Sequence, residues 1–223
     1  MNLINMEKLK EVRVVGFDLD GTLYQSTPKI DNCIRTQIAK RIFDKKPELQ
    51  DLKEARDFFE LRYAELKSGS KVLKEVGYKD GAKIVDECAL EADILDLIFP
   101  NEKLANIIKE VSLKYETYLL TSSFQDWTLS KLKKIGIDGK CFSNKVYGDT
   151  LGIGSKYNGE AFDYILNLVS DFNAFEHVYI GNSKISDILP AKLRGMKTIA
   201  VWSQIPEADI SIKNINEIGD FLL

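Results

Sequence analysis

The sequence has a single histidine, His177. Catalysis built on a Ser–His or Cys–His pair would have to use it, and its place just before an apolar strand marks it as structural. Cysteine is scarce as well. Cys33, Cys88 and Cys141 are odd in number and far apart, and they lack CxxC or zinc-site spacing. Each reads as a small buried apolar residue. There is no excess of positive charge: the formal net charge is -3, which leaves no global basic field for non-specific nucleic-acid binding. No apolar run is long enough to span a bilayer. The N-terminal MNLINMEKLKEV has no apolar signal core before a small-residue cleavage site. A cytoplasmic location is expected, with neither nucleic acid nor membrane as partner. Internal repeats, low-complexity tracts and long charge blocks are also missing.

What is present is an ordinary globular composition, 44% hydrophobic and 29% charged over 223 residues. That is enough chain for one large domain, or for one domain with an insertion. The apolar run Val12–Phe17 predicts a strand buried on both faces. A different texture follows, from about Gln25 to Ala92. Thr27-Pro28 reads as an N-cap followed by proline at the first helical position. Ile30, Ile34, Ile38 and Ile42 recur at helical spacing, as do Leu52, Ala55, Phe59, Tyr63 and Leu66. Gly69 and the stretch from Gly77 to Gly81 break this block into shorter helices. Nothing in it alternates as a strand should.

The α/β texture resumes near Pro100. A helix face is expected at Leu104, Ile107, Ile108 and Val111, and strands at Tyr115–Leu120 and Cys141–Val146. Between those strands, a helix from Trp127 to Ile135 closes at Gly136, with Lys131, Lys133 and Lys134 suited to the negative end of its dipole. After a loop from Gly152 to Lys156 come a helix over Gly159–Val169 and a strand over His177–Ile180. A helix from about Asp187 to Arg194 and a last strand at Lys197–Trp202 complete the chain. The fold class expected is α/β: a Rossmann-like three-layer core with a parallel sheet, built from 1–24 and 95–223, plus a small all-helical domain over 25–94.

Chemistry-bearing residues sit where such sheets bind ligands, beyond the carboxyl ends of the strands. Asp18 and Asp20 end the first strand, Thr121 ends another, Asn182 and Asp187 follow a third, and Lys156 lies on a loop feeding a helix. In an extended chain Asp18 and Asp20 share a face. Gly21 lets the chain turn and bring N–H groups close to an anion. Two acids at a buried strand end repel each other, and a cation is the natural compensation.

Phe17-Asp18-Leu19-Asp20-Gly21-Thr22-Leu23-Tyr24 resembles the first motif of the haloacid dehalogenase-like (HAD) hydrolases. Leu119-Leu120-Thr121-Ser122 is similar to their second motif and Lys156 to their third; Ile180-Gly181-Asn182-Ser183 through Asp187 is similar to their fourth. Lys145 competes with Lys156 for the third position. The helical block stands where that family inserts a helical cap.

The resemblance implies a Mg²⁺-dependent phosphatase acting on a small-molecule phosphate ester. Asp18 would be the nucleophile that forms an aspartyl-phosphate, and Asp20 the acid and then the base. Gly21, Thr22, Thr121 and the N–H of Ser122 would hold phosphate oxygens, and Lys156 would balance charge. Asp18, Asp20 (through its backbone carbonyl), Asn182 and Asp187 would serve the metal, with Asp187 supplying charge from behind the direct ligands or through a bound water. The family's fourth motif usually begins Gly-Asp, so Asn182 makes the site less charged. The stretch from Phe58 through Ile98 resembles the pyrimidine-nucleotidase-like branch, as does Asp18–Tyr24, which makes a nucleoside monophosphate one expected substrate. A phosphotransfer enzyme such as a sugar-phosphate mutase would differ only in what accepts the phosphoryl group. Two further functions fit the scaffold: a metal-free dehalogenase in which Asp18 attacks carbon, and a non-catalytic binding protein. The intact Asp20 argues against both, whereas Asn182 favours the dehalogenase.

Overall fold

The computed structural model describes residues 9–150 and 152–223; the segment 1–8, read above for targeting signals, lies outside them. Six strands form one parallel sheet: β1 (Val14–Phe17), β2 (Glu116–Leu120), β3 (Asn144–Val146), β4 (His177–Gly181), β5 (Lys197–Val201) and β6 (Ile210–Ile212). Their order is β3-β2-β1-β4-β5-β6, with every neighbouring pair parallel. The chain starts in the centre, winds out to β3, then returns to the other side of β1. The reversal falls between β1 and β4, and that is where a ligand crevice forms in a doubly wound sheet.

The apolar alternation of the strands supplies two buried faces. Val14, Tyr118, Leu120 and Tyr179 meet Ala161, Phe162 and Ile165 of a helix at Glu160–Leu168. Val15, Phe17, Leu119 and Ile180, out of phase with that set, are equally buried. Helix Glu102–Lys114 packs against β2. The result is a three-layer α/β core.

The chain divides into two compact units, one formed by the residues up to Gln25 together with Phe99–Leu223, the other by Ser26–Ile98. The second unit holds α1 (Pro28–Lys45), α2 (Leu52–Leu66), α3 (Gly69–Glu75), α4 (Gly81–Glu91) and a 3-10 turn at Ile94–Leu97. Thr27, Asp51, Ser68 and Asp80 each accept a hydrogen bond from a first-turn N–H, so all four helices have side-chain caps. Ile38, Ile42, Ala55, Phe59, Val72, Leu73 and Cys88 form its core. No described helix is long and apolar enough to cross a membrane. In the first unit, α5 is Glu102–Lys114, α6 Gln125–Ile135, α7 Glu160–Leu168, α8 Leu189–Lys192 and α9 Gly219–Leu222.

Four details depart from the sequence-based expectations. Lys197–Val201 is not the last strand: Ile210–Ile212 pairs outside it, a three-residue edge strand too short to leave a pattern. The strand expected over Cys141–Val146 pairs only from Asn144, because Asp138 caps a 3-10 turn at Gly139–Cys141. The helix expected from Asp187 instead begins with a π-turn at Lys184–Ile188, capped by Ser183, and Asp187 lies inside it. Cys88 is buried, but Cys33 and Cys141 are only half-buried; all three are free thiols.

Candidate active site

Parallel pairing in register brings the ends of β1, β2 and β4 side by side, with Phe17 opposite Leu119 on one flank and Ile180 on the other. The residues that follow, Asp18, Thr121 and Asn182, therefore emerge at one edge of the sheet. The Asp18 N–H extends the ladder by donating to the Ile180 carbonyl at 2.9 Å.

Asp18 is buried. Its Oδ1 accepts from Lys156 Nζ at 2.7 Å, and its Oδ2 from the Thr22 hydroxyl at 2.8 Å. Lys156, buried on the loop before α7, also lies 2.6 Å from Asp187 Oδ1, an ion pair without hydrogen-bond alignment. Asp187 Oδ2 accepts the backbone N–H groups of Asn182 at 3.2 Å and Ser183 at 2.8 Å. Asp187 thus folds the turn that presents Asn182, whose Oδ1 lies 3.3 Å from the Thr22 hydroxyl. Two glycines make this possible. A Cβ on Gly21, which has φ +78°, would meet Asn182 Nδ2 at 2.6 Å, and one on Gly181 would meet the Asp187 Cβ at 2.4 Å. Lys156, not Lys145, reaches Asp18; Lys145 donates to the backbone carbonyls of Phe142 and Gly139.

Asp20 belongs to a second network. Its Oδ1 accepts from Lys131 Nζ at 2.6 Å and from the Tyr24 hydroxyl at 2.5 Å. Its Oδ2 accepts from the Ser123 hydroxyl at 2.6 Å, with the Thr121 hydroxyl at 3.4 Å. Lys131 also donates to the Ser123 oxygen at 2.8 Å, and the Ser123 N–H donates to Thr121 Oγ1 at 3.1 Å. Ser122 is exposed at the tip of this loop.

The two acids titrate in opposite directions. Burial drives Asp18 up to about 7; Lys156 opposes the rise and the Asp187 charge adds to it. For Asp20, burial is outweighed by the Lys131 charge and by the hydrogen bonds of Lys131, Ser123 and Tyr24, which hold it below the usual carboxylate range. Burial alone would lower Lys156, but the charges of Asp18 and Asp187 raise it above the usual lysine range.

Lys131, expected to complement the negative end of the α6 dipole, instead turns inward to Asp20. It is 2% exposed, on the face of α6 that also buries Trp127, Thr128, Leu132 and Ile135. That i, i+3/i+4 spacing was the available signal, a lysine within an otherwise inward stripe. Ser123, Tyr24 and Trp202 also join the site without having been assigned roles. Trp202 follows β5 with φ +70°, and its indole N–H donates to the Thr22 carbonyl at 3.2 Å. No sequence pattern announces that backbone conformation.

The residues fit a hard cation. Asp18 and Asp187 share one buried ammonium, which leaves one net negative charge, and the oxygens of Asp18 and Asn182 converge on the Thr22 hydroxyl. Among the described residues, no three His, Cys, Asp or Glu side chains cluster for a metal.

The haloacid dehalogenase-like hydrolase family model matches residues 12–193. The chain belongs to this family. Solved HAD structures share the fold at low identity. A HAD phosphatase from Thermococcus onnurineus matches with TM-score 0.66 and 18% identity over 95% of this chain and 98% of that one. A magnesium-bound HAD hydrolase from Bacillus subtilis gives 0.63 and 18% over 96% and 99%. A 2-haloacid dehalogenase from Pseudomonas syringae gives 0.57 and 18% over 95% and 98%. No curated protein matches the chain. As a HAD-like hydrolase, it is an enzyme.

Proposed function

We propose that this HAD-like hydrolase is a Mg²⁺-dependent phosphatase of small-molecule phosphomonoesters, working through an aspartyl-phosphate. The observation that carries the reading is the division of labour at the end of β1. One carboxylate, Asp18, is buried beside Lys156, and a second, Asp20, is held two residues on by separate partners. An acid that shuttles protons is what phosphoryl transfer to and from oxygen requires.

In the first step an Asp18 carboxylate oxygen bonds to phosphorus as the bond to the ester oxygen breaks; Asp20, held ionised in the free site, takes the proton of the substrate's phosphate monoanion and passes it to that ester oxygen. In the second, Asp20 takes a proton from water as the water oxygen bonds to phosphorus; the Asp18–phosphorus linkage breaks, releasing inorganic phosphate. Lys156 offsets negative charge on Asp18 and the transferring group. Thr121 and the Ser122 N–H bind its oxygens, and the turn adds the Gly21 N–H; the Thr22 N–H, expected to join them, is already given to the Leu19 carbonyl at 3.1 Å. Asp18, the Asp20 carbonyl and Asn182 would hold Mg²⁺, with Asp187 behind them; when bound, the ion supplies charge against the phosphoryl oxygens.

The test is a screen of phosphate esters, including nucleoside monophosphates, sugar phosphates and p-nitrophenyl phosphate, with Mg²⁺ and with chelator. Hydrolysis that requires Mg²⁺ is expected. No hydrolysis of any ester with Mg²⁺ would sink the proposal. Asn182, an amide at the metal position, favours the dehalogenase alternative, so halide release from a 2-haloacid without metal is the second arm.

A further inference from the structure

Lys131 has no part in the mechanism just given, yet it is the most deeply buried lysine of the site. Its ammonium, 2% exposed, stands 5.2 Å from the centre of the Trp127 ring. A cation so placed is costly unless it is paired. Its partners are Asp20 Oδ1 at 2.6 Å and the Ser123 hydroxyl at 2.8 Å, and that hydroxyl donates to the other Asp20 oxygen. Lys131 therefore holds Asp20 twice, directly and through Ser123. It does so from the middle of α6, whose packed face fixes where the ammonium sits. The remaining contacts, Tyr24 and Thr121, come from the loops after β1 and β2.

We infer that Lys131 is a positioning residue for the proton transfers of Asp20, fixing the carboxylate from α6 while the loops that carry Asp20 and Thr121 handle the substrate. The inference rests on the phosphatase reading. A salt bridge that merely fastened α6 to the loop would look the same in the structure but would behave differently in kinetics. An alkyl phosphate expels a strongly basic oxygen and needs the proton of Asp20, whereas p-nitrophenyl phosphate expels a weakly basic one and hardly needs it. The effect of losing Lys131 must therefore depend on the leaving group, and it must vanish when Asp20 can no longer transfer a proton.

The experiment measures kcat/KM for an alkyl phosphate and for p-nitrophenyl phosphate, with saturating Mg²⁺. The proteins are wild type, Lys131→Met, Lys131→Arg, Asp20→Asn and the Asp20→Asn/Lys131→Met double variant. Lys133→Met, on the exposed face of α6, is the control expected to match wild type. Lys131→Met should lose about 100-fold on the alkyl ester and under about 10-fold on the aryl ester, as the loss of aid from a positioned acid would give. Lys131→Arg should recover part of the alkyl loss. The double variant should be no slower than Asp20→Asn alone. Equal losses on both esters, or a double variant slower than Asp20→Asn by the full Lys131→Met factor, would overturn the positioning role and leave the phosphatase reading standing. A wild-type protein inactive on both esters would overturn both. Should Lys131→Met fail to fold, Lys131→Gln provides the same comparison.

Discussion

Asp18 shares its ammonium with another carboxylate, whereas Asp20 has Lys131 and three hydroxyl groups. The Asp18 side chain is 8% exposed and that of Asp20 is 37% exposed. One residue separates them in the chain, yet one network is left with surplus negative charge and the other is closed. The difference teaches how a single strand end can hold two carboxylates for two tasks. An under-compensated acid has reason to accept a cation and an electrophile. A fully bonded one keeps its geometry while protons come and go.

Removing Asp18, the acid that shares its ammonium, should have the largest effect. Asp18→Asn is expected to lower kcat by at least about 10⁴-fold, as loss of a covalent nucleophile does; residual activity within about 100-fold of wild type would exclude it as the nucleophile. Lys156→Met leaves Asp18 and Asp187 buried without their cation. In chelator it should cost about 3–5 kcal/mol of stability in urea unfolding. Lys131→Met should cost less, because the Asp20 side chain reaches water. The reverse ranking would break the contrast between the two networks.

The lone histidine sets the background against which either network's acid response is read. Burial pushes the His177 imidazole down to about 4, only partly opposed by the backbone at Phe172 and by Glu176. Between its ordinary value of 6.5 and about 4, the unfolded chain binds a proton that the folded one refuses. Stability from this residue is thus complete above 6.5 and lost as pH falls through that window, by about 3 kcal/mol in all. His177→Phe should flatten that part of the pH–stability curve; an unchanged slope would refute it. The smallest effect is expected at Asn182. Asn182→Asp adds a carboxylate beside Asp18 and should lower the Mg²⁺ concentration for half-maximal activity about 10-fold. An unchanged requirement would mean that Asn182 is not a ligand.

Much of this was legible in the sequence because it is periodic or local. The buried run before Asp18, the helical spacing of Ile30 to Ile42 and the placement of Asp18, Thr121 and Asn182 after strands all follow from patterns of a few residues. The second network was less legible. Lys131 belongs to no motif and lies 111 residues from Asp20, and only its place on the inward stripe of α6 sets it apart from the lysines around it. Asp187 was read as a site acid, but its work in folding the Asn182 turn depends on the close approach that Gly181 permits. The Trp202 contact depends on a backbone conformation, and β6 on pairing with β5.

The central claim is that phosphate passes through Asp18. The most direct measurement is the intact mass of Asp20→Asn protein, quenched shortly after mixing with p-nitrophenyl phosphate and Mg²⁺, followed by peptide mapping. That ester leaves without an acid, and the variant lacks the base for the second step, so the intermediate should accumulate. The expected result is a mass gain of one phosphoryl group on the peptide containing Asp18. Wild-type hydrolysis of the ester with no phosphorylated variant, or with the group on another residue, would contradict the account.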